Sequence, residues 1–262
     1  MRKGFSLVEL SIVLVILGLL TGGILAGQSL IRAAELRAVG TEYQRYLTAA
    51  SAFKDKYFTI PGDFNNAQAF WGAQGTNCSG TVTTVNATGA CNGNGDGIMN
   101  QAGAVSSTGE TMQMWRHLAL AGLIEGNYSG ISGSGGTQHC MPGTNCPMSK
   151  LNGGGWSIDY DGTTAGNGSR YAVYYGNFLS FGAFATNSGT SDPILKPEEA
   201  WNIDTKLDDG KPASGKIVAR FWNNLCAAPD TGTAAATNLV ASYRLSDSTL
   251  QCALHFRQFV GN

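Results

Sequence analysis

A single carboxylate interrupts the most apolar segment of the chain. Glu9 is the only charged residue between Phe5 and Ile31, and a basic pair precedes the segment. A carboxylate inside a membrane costs about 2.5–3.5 kcal/mol even on insertion scales, so it needs a partner. No lysine or arginine within the segment can serve as that partner. Cleavage of the chain after Gly4 would supply one, because it would free the α-amine of Phe5.

The register of these residues resembles the processing site of the type IV pilin and type II secretion pseudopilin superfamily. The matching stretch reads Lys-Gly-Phe-Ser-Leu-Val-Glu-Leu over residues 3–10, and an apolar helix follows it. The resemblance implies that a prepilin peptidase cuts between Gly4 and Phe5 and methylates Phe5. It also implies that Glu9 pairs with the Phe5 amine of a neighbouring subunit. The implied partners are the peptidase, other pilin or pseudopilin subunits, an inner-membrane assembly platform and membrane lipid.

Two simpler interpretations of the N-terminus are a cleaved signal peptide and a plain membrane anchor. A signal peptide also has a basic start and an apolar core. Here, however, Glu9 interrupts the core, and residues 25–27 make a poor cleavage site. A plain anchor gives no reason for Glu9. The alternative function that goes with these interpretations is a membrane-tethered or secreted binding or adhesive protein.

The hydropathy pattern divides the chain into four parts. Residues 1–4 form the leader, and residues 5–31 are long enough to cross a bilayer as a helix. Residues 32–60 form the amphipathic half of the same helix, and residues 61–262 form a globular head. The basic leader favours a cytoplasmic N-terminus, so the precursor would sit in the inner membrane with a periplasmic head. The resemblance implies a later place in a periplasmic filament or a cell-surface pilus.

The amphipathic half of the long helix carries one apolar stripe, while charged residues such as Glu42 fill other positions. Apolar residues recur there at three- and four-residue steps, which predicts a helix with one buried face. The stripe consists of Ile31, Leu36, Val39, Tyr43, Tyr46, Leu47, Ala50, Phe53 and Tyr57.

The membrane half departs from the superfamily in one respect. Many pilins carry a proline near the end of this half, where the helix can loosen, and this chain has none there. It has Gly22 and Gly23 instead. Each glycine weakens a helix by about 1 kcal/mol relative to alanine, so the pair could soften this segment. The alternative is that these small residues allow close packing between the helices of neighbouring subunits.

The head is predicted to be α+β. The expected fold is pilin-like: the long helix packs on a head that has an antiparallel β-sheet and disulfide-stapled loops. Alternating apolar residues, β-prone runs and helix start signals indicate its elements. The helix candidates are residues 110–124, with Gly122 as the stop, and residues 197–203, and the strand candidates are residues 156–160, 171–175, 177–184 and 216–222.

Composition favours an exported, loop-rich protein. The 262 residues include 36 glycines, only 13% are charged, and the net charge at pH 7 is −1. Average domains carry roughly 25% charged residues. The absence of bulk basic character gives no indication of general nucleic-acid binding.

Six cysteines lie beyond the membrane segment, and an even count in an exported chain predicts disulfides. Six cysteines allow 15 connectivities. Zinc is disfavoured because the chain has no C-x-x-C pair and its three histidines are scattered. Pairing in sequence order is the simplest choice, which gives Cys78–Cys91, Cys140–Cys146 and Cys226–Cys252.

One loop suggests a hard cation. The side chains of Asn92, Asn94 and Asp96 and the carbonyl of Ile98 follow the first half of an EF-hand-type calcium loop. A glycine stands where the bidentate glutamate is expected, so affinity would depend on Glu110 or a distant aspartate. The alternative is an Asx- and Gly-rich turn. No cofactor is required by the sequence, and calcium is the one that it suggests.

Catalysis finds no support in the sequence. The chain has no H-E-x-x-H, G-x-S-x-G or P-loop motif. Asp208, Asp209 and Gly210 are expected to form a turn, and His117 and Trp115 are expected to pack against the core. The sequence therefore predicts a non-enzymatic filament subunit, and its large head favours a minor pilin or a pseudopilin.

Overall fold

The computed structural model describes residues 6–74, 78, 89–99, 109–133, 139–166, 169–186, 188–220, 226–228 and 236–261. All structural statements concern these residues. The expected processing residues, Gly4 and Phe5, lie outside the described part of the chain.

The first element is one continuous helix, α1, which spans Leu7–Tyr57 and passes through Gly22 and Gly23 without a break. Its 51 residues make a rod of about 75 Å. An apolar window of 18 residues has a mean hydropathy of 2.4, and the head buries none of it. By length and composition this half is able to cross a membrane, which is consistent with the membrane anchor of pilin-type proteins.

The helix ends slightly before the expected boundary at residue 60. Phe58 adopts a left-handed backbone with φ of 57°, and its amide donates to the carbonyl of Lys54. This cap closes the last turn. Pro61 also favours extended conformations of the preceding Ile60, so the helix does not continue through this residue.

The head contains three further helices and seven strands among the described residues. In chain order they are α2 (Ala67–Trp71), α3 (Glu110–Leu120), β1 (Gly154–Asp161), β2 (Gly176–Phe184), β3 (Thr190–Asp192), α4 (Pro197–Leu207), β4 (Ile217–Arg220), β5 (Ala227–Ala228), β6 (Ser242–Tyr243) and β7 (Ala253–Phe256).

The main sheet is antiparallel and has the strand order β1-β2-β7-β4, with β3 also paired to β2. Strands β5 and β6 form a separate pair. Because side chains alternate along a strand, each register row belongs to one face of the sheet. Trp156 opposite Phe181 lies in an apolar row. Ser157, Ser180 and His255 lie in an adjacent row on the other face.

Most of the expected elements are present. Helix α3 ends at Leu120 and α4 continues to Leu207, and residues 221–222 of the last strand candidate lie outside the described part of the chain. Two further differences concern side chains. Residues 171–175 were expected to form a strand, but they form an irregular segment with a bend, and Tyr171 and Tyr175 pack into a small core cluster. The Tyr175 hydroxyl accepts from the Tyr171 amide, which a flat strand would not allow. Ile31 was assigned to the buried stripe, yet it is 63% exposed because the contact between α1 and the head starts after it.

The core forms where the second half of α1 crosses the apolar face of the sheet. Val39, Ala50 and Phe53 are buried there, together with two tyrosines. The ring of Tyr46 lies 5.1 Å from Trp115 of α3 and 5.7 Å from Trp156 of β1, and the ring of Tyr43 lies 4.5 Å from Phe256 of β7. These aromatic contacts join α1 to both α3 and the sheet.

A buried charge completes this interface. Glu42, which the sequence pattern assigned to the polar positions of α1, is only 7% exposed. Its Oε2 accepts from the Ser149 hydroxyl at 2.7 Å and from Trp156 Nε1 at 2.8 Å. Its Oε1 accepts from the Lys150 amide at 2.7 Å. The carboxylate therefore binds a loop and a strand of the head to one point on the helix.

We expect Glu42→Ala to lower the free energy of unfolding by about 2–4 kcal/mol, because three donors, two of them buried, lose their acceptor. Glu42→Gln should lose less, since its carbonyl oxygen still accepts. Gln44→Ala, at an exposed position of the same helix, serves as the control and should change stability by less than about 0.5 kcal/mol. Denaturant unfolding of the full chain in detergent, followed by tryptophan fluorescence, measures all three. Equal stabilities for Glu42→Ala and Gln44→Ala would contradict this role.

Candidate functional site

The N-terminal turn of α1 is built around Glu9. Ser6 caps the helix, and its hydroxyl accepts from the Val8 amide at 3.3 Å. In return, Glu9 Oε2 accepts from the Ser6 amide at 2.9 Å. This reciprocal pair is a capping box, which satisfies amides that the helix leaves without partners. Glu9 therefore has a local structural contact that the sequence analysis missed, although a serine three residues before a glutamate is its known signal.

The capping contact also fixes the place of Glu9 in the first turn of α1. The carboxylate therefore lies at the positive end of the helix dipole. Glu9 is exposed, so the head does not cover it. The pairing of Glu9 with a neighbouring subunit stays a prediction, as do the roles of Gly4 and Phe5.

A second charged contact lies where the exposed half of α1 meets the head. Arg32 donates from Nε and Nη2 to the two carboxylate oxygens of Glu199 in α4, both at 2.7 Å. Its Nη2 also donates to the carbonyl of Ile194 at 3.0 Å. The hydrogen bonds to Glu199 raise the pKa of Arg32. Such a bidentate pair fixes the geometry of both side chains, so α4 is held at the point where α1 enters the head.

Three disulfides staple the head, and they join the cysteines in sequence order: Cys78–Cys91, Cys140–Cys146 and Cys226–Cys252. The first and third act at joints between elements. Cys91 also donates its amide to Gln113 of α3, and Cys252 exchanges backbone hydrogen bonds with Leu195. The bonds therefore attach loop segments to α3 and to the start of β7 in the main sheet.

The loop that was suggested for calcium brings together a different set of oxygen atoms from the expected one. Asn92 points elsewhere, because its Oδ1 accepts from the Gln68 amide in α2 at 2.9 Å. Asn94 and Asp96 remain in the loop and are hydrogen-bonded to each other at 2.8 Å. The Ile98 amide donates to Asp96 Oδ1. These short-range contacts are the Asx turns that the alternative interpretation predicted.

Two distant carboxylates join this loop. Asp63 accepts from the Gly95 amide at 2.5 Å and from the Gly97 amide at 2.7 Å, and Glu110 accepts from the Asn94 amide at 2.9 Å. Oxygens of Asp63, Asp96 and Glu110 lie within 4.8 Å of one another. Oxygen donors of this kind suit a hard cation. The sequence analysis named Glu110 and an unspecified distant aspartate as possible additional ligands, and Asp63 is an aspartate of this kind.

His117 is a structural residue of the core. Its Nδ1 accepts from the Gly62 amide at 3.0 Å, and its Nε2 donates to the Cys91 carbonyl at 2.9 Å. The ring is fully buried, and this burial lowers the pKa of His117 to about 4. The neutral ring thus joins the end of α1 to the loop that carries the first disulfide.

The acidic turn after α4 is also structural. Asp208 accepts from the amides of Lys216 and Ile217, and Asp209 accepts from the Lys211 amide. These hydrogen bonds support the turn that the sequence predicted at this point.

Comparison with known proteins gives one match. Residues 1–25 match the family described as Prokaryotic N-terminal methylation motif, which is the type IV pilin and pseudopilin signature. No curated protein and no solved structure matches the chain. The motif indicates a pilin-like or pseudopilin precursor, and it implies processing by a prepilin peptidase and assembly with other pilin subunits. Its family is structural rather than catalytic.

The comparison agrees with the architecture. A long apolar N-terminal helix, an antiparallel head and three disulfides form an α+β, pilin-like layout, so the predicted fold class is confirmed.

The buried state of His117 predicts acid sensitivity. The unfolded chain binds this proton near pH 6.5, but the folded chain binds it only near pH 4. Stability that is present above pH 6.5 is therefore lost as the pH falls towards 4, by about 3 kcal/mol from this residue.

We expect His117→Asn, whose side-chain oxygen can still accept from Gly62, to flatten the pH dependence of unfolding between pH 7 and pH 4.5. Comparing the variant with the wild type cancels the other titrating groups. The measurement is denaturant unfolding of the full chain in detergent at both pH values, and an unchanged slope would rule out His117 as the cause.

Proposed function

We propose that this chain is a non-catalytic subunit, a minor pilin or a pseudopilin, of a type IV pilus or a type II secretion filament. The match of residues 1–25 to the methylation motif carries the proposal. It is supported by the continuity of α1, whose apolar half is exposed while its second half is built into the head. An exposed apolar rod requires lipid around it before assembly and other helices around it afterwards.

The proposed precursor lies in the inner membrane with its leader in the cytoplasm and its head in the periplasm. The positive charges of the leader favour this orientation. The six cysteines would then be oxidised after export, in the compartment where disulfides persist. After processing, the subunit would enter a periplasmic filament or a surface pilus through its N-terminal helix.

The large head supports a minor rather than a major subunit. Glu9 argues against a tip position, because some tip subunits of the resembled superfamily lack this glutamate. The second candidate function, a tethered binding or adhesive protein, has no use for a carboxylate at this register. The behaviour of Glu9 variants therefore discriminates between the two functions.

The first expectation concerns processing. The mature chain should begin with N-methylated Phe5, and the leader of four residues should be lost. Gly4→Ala should block the cut, since the peptidase is expected to need an open backbone there. Intact-mass analysis of membrane material from cells that contain a prepilin peptidase measures both forms. A mature end at Gln28, or an uncut wild-type chain, would refute the proposal.

The second expectation separates the two contacts of Glu9. Glu9→Gln keeps the acceptor for the Ser6 amide but removes the charge, whereas Glu9→Ala removes both. Stranding one partner of a buried ion pair costs about 3–5 kcal/mol. Both variants should therefore be processed normally and yield at least about tenfold fewer filaments. Glu9→Asp should be intermediate because the charge survives with a shorter reach.

Sheared-filament yield relative to processed subunit, in cells without the wild-type copy, measures the effect. Ser11→Ala, an exposed position two residues along the same helix, is the matched control. A normal yield for Glu9→Gln together with a low yield for Glu9→Ala would assign Glu9 to helix capping alone. Normal yields for both would favour the tethered-protein alternative.

Calcium remains part of the proposal, with a revised set of ligands. We expect a calcium ion to be held by Asp63, Asp96 and Glu110, and Asn92 to play no part. Glu110→Gln should then abolish calcium binding by the full chain in calorimetric titration, while Asn92→Ala should preserve it. Absence of calcium binding by the wild-type chain would refute the site, and loss of binding in Asn92→Ala would restore the sequence-based ligand set.

A further inference from the structure

The face of the main sheet that points away from α1 contains a polar pocket of about 200 Å³. We refer to it as the sheet pocket. Residues of β1, β2, β3, β4 and β7 line it, together with the segments that precede β2 and β3. The lining residues are Ser157, Ile158, Asp159, Ser169, Arg170, Ser180, Ser188, Gly189, Ser191, Arg220 and His255.

Strand register builds the floor of the sheet pocket. Ser157, Ser180 and His255 stand opposite one another on three neighbouring strands, and all three are buried. Ser180 Oγ lies 2.9 Å from His255 Nδ1. Ser157 Oγ accepts from the Thr190 amide at 2.9 Å, which fixes the hydroxyl in place. The floor is thus a rigid row of polar groups inside a sheet, whereas the row beside it on the other face is apolar.

Two arginines and one aspartate line the sheet pocket, and two further aspartates lie within ion-pair distance of the arginines. Arg170, at the half-buried rim, pairs with Asp159 at 2.5 Å and with Asp161 at 3.1 Å. Arg220 is buried and donates to the Ser191 carbonyl, and its carboxylate neighbour Asp192 lies 3.8 Å away with a side chain 48% exposed. The guanidinium of Arg220 is therefore buried where it lines the pocket, whereas the side chain of Asp192 is about half exposed.

His255 adds a polar atom to the same floor. It is 2% exposed, and its Nε2 has no hydrogen-bond partner among the described residues. Burial, reinforced by the charges of Arg170 and Arg220, lowers the pKa of His255, so the ring is neutral. When the Ser180 hydroxyl donates to Nδ1, the ring proton resides on Nε2. A buried donor without an acceptor is costly, and a ligand oxygen would remove that cost.

We propose that the sheet pocket binds a small hydroxylated carboxylate of the uronic acid class, with its carboxylate towards Arg220. The arginine fork matches a carboxylate, and the serine hydroxyls and Asp159 suit the hydroxyls of a sugar ring. A phosphate dianion fits less well, because Asp159 would repel it and Arg170 is already paired with two carboxylates. A cavity of this size admits one small molecule. The site lies on the face of the sheet opposite α1, so the proposal does not depend on the proposed role of the helix in filament assembly.

Calorimetric titration of the full chain in detergent with D-glucuronate, D-glucose and inorganic phosphate tests the ligand class. We expect saturable one-site binding of glucuronate, no binding of glucose and weaker binding of phosphate. Absence of saturable glucuronate binding up to tens of millimolar would overturn the proposal. Glucose or phosphate binding as tightly as glucuronate would overturn the assignment to a hydroxylated carboxylate.

Variants test the place of binding. Arg220→Gln should weaken glucuronate binding at least about tenfold, the loss that follows from removing one charged hydrogen-bonding partner. Arg257→Gln is the matched control, because Arg257 also donates to backbone carbonyls but does not line the pocket. Near-ultraviolet circular dichroism checks that each variant is folded.

If Arg220→Gln does not fold, Ser180→Ala decides the question. It removes one hydroxyl from the floor and should weaken binding severalfold. Unchanged affinity in a folded Arg220→Gln or Ser180→Ala protein would show that glucuronate binds elsewhere and would overturn the site.

Discussion

The buried carboxylate of Glu42 constrains how the head attaches to the long helix. Removing a charge from water is costly unless hydrogen bonds replace the lost solvation. Glu42 meets this condition only when Ser149, Lys150 and Trp156 all reach it. Because Trp156 belongs to β1, these hydrogen bonds form only when α1 has one particular rotation about its axis and one particular position along that axis relative to the sheet. Tyr46, one turn further along α1, then packs between Trp156 and Trp115. Because Trp115 belongs to α3, this contact also positions α3 against α1.

The two halves of α1 have different surroundings, because only the second half packs against the head. From Leu7 to Ile31 the helix exposes apolar side chains along its length, and from Val39 to Phe53 it supplies the core of the head. Arg32 lies between them and is fixed by Glu199. Bending of α1 at this junction would change the orientation of the head relative to the apolar half of the helix, and the bidentate pair opposes such bending. A subunit that assembles through its helix requires a fixed orientation of this kind.

The sequence predicted the parts of the fold that depend on local pattern. The register around Glu9, the helical period of α1 and the alternation of β1 are all readable within a few residues. Glu42 was assigned to the polar face because a charge reads as solvent-exposed unless its distant partners are known. Asn92 was assigned to a cation because its actual hydrogen-bond partner, the Gln68 amide of α2, is distant in the sequence and could not be foreseen. Strand β7 was not predicted, because four residues with a histidine in the middle carry little periodic signal.

Long-range register explains why the sheet pocket was invisible to sequence reasoning. Ser157, Ser180 and His255 are far apart in the chain, and only the antiparallel pairing of β1, β2 and β7 brings them into one row. The period of two that buries Trp156, Phe181 and Leu254 against α1 must direct the intervening side chains to the opposite face. An apolar row would be the simplest covering for that face. Polar groups there instead require hydrogen-bond partners, which the strands supply only in part. The same alternation therefore places apolar side chains on the helix-facing side of the sheet, where they pack against α1, and places on the opposite side the polar groups that line the sheet pocket.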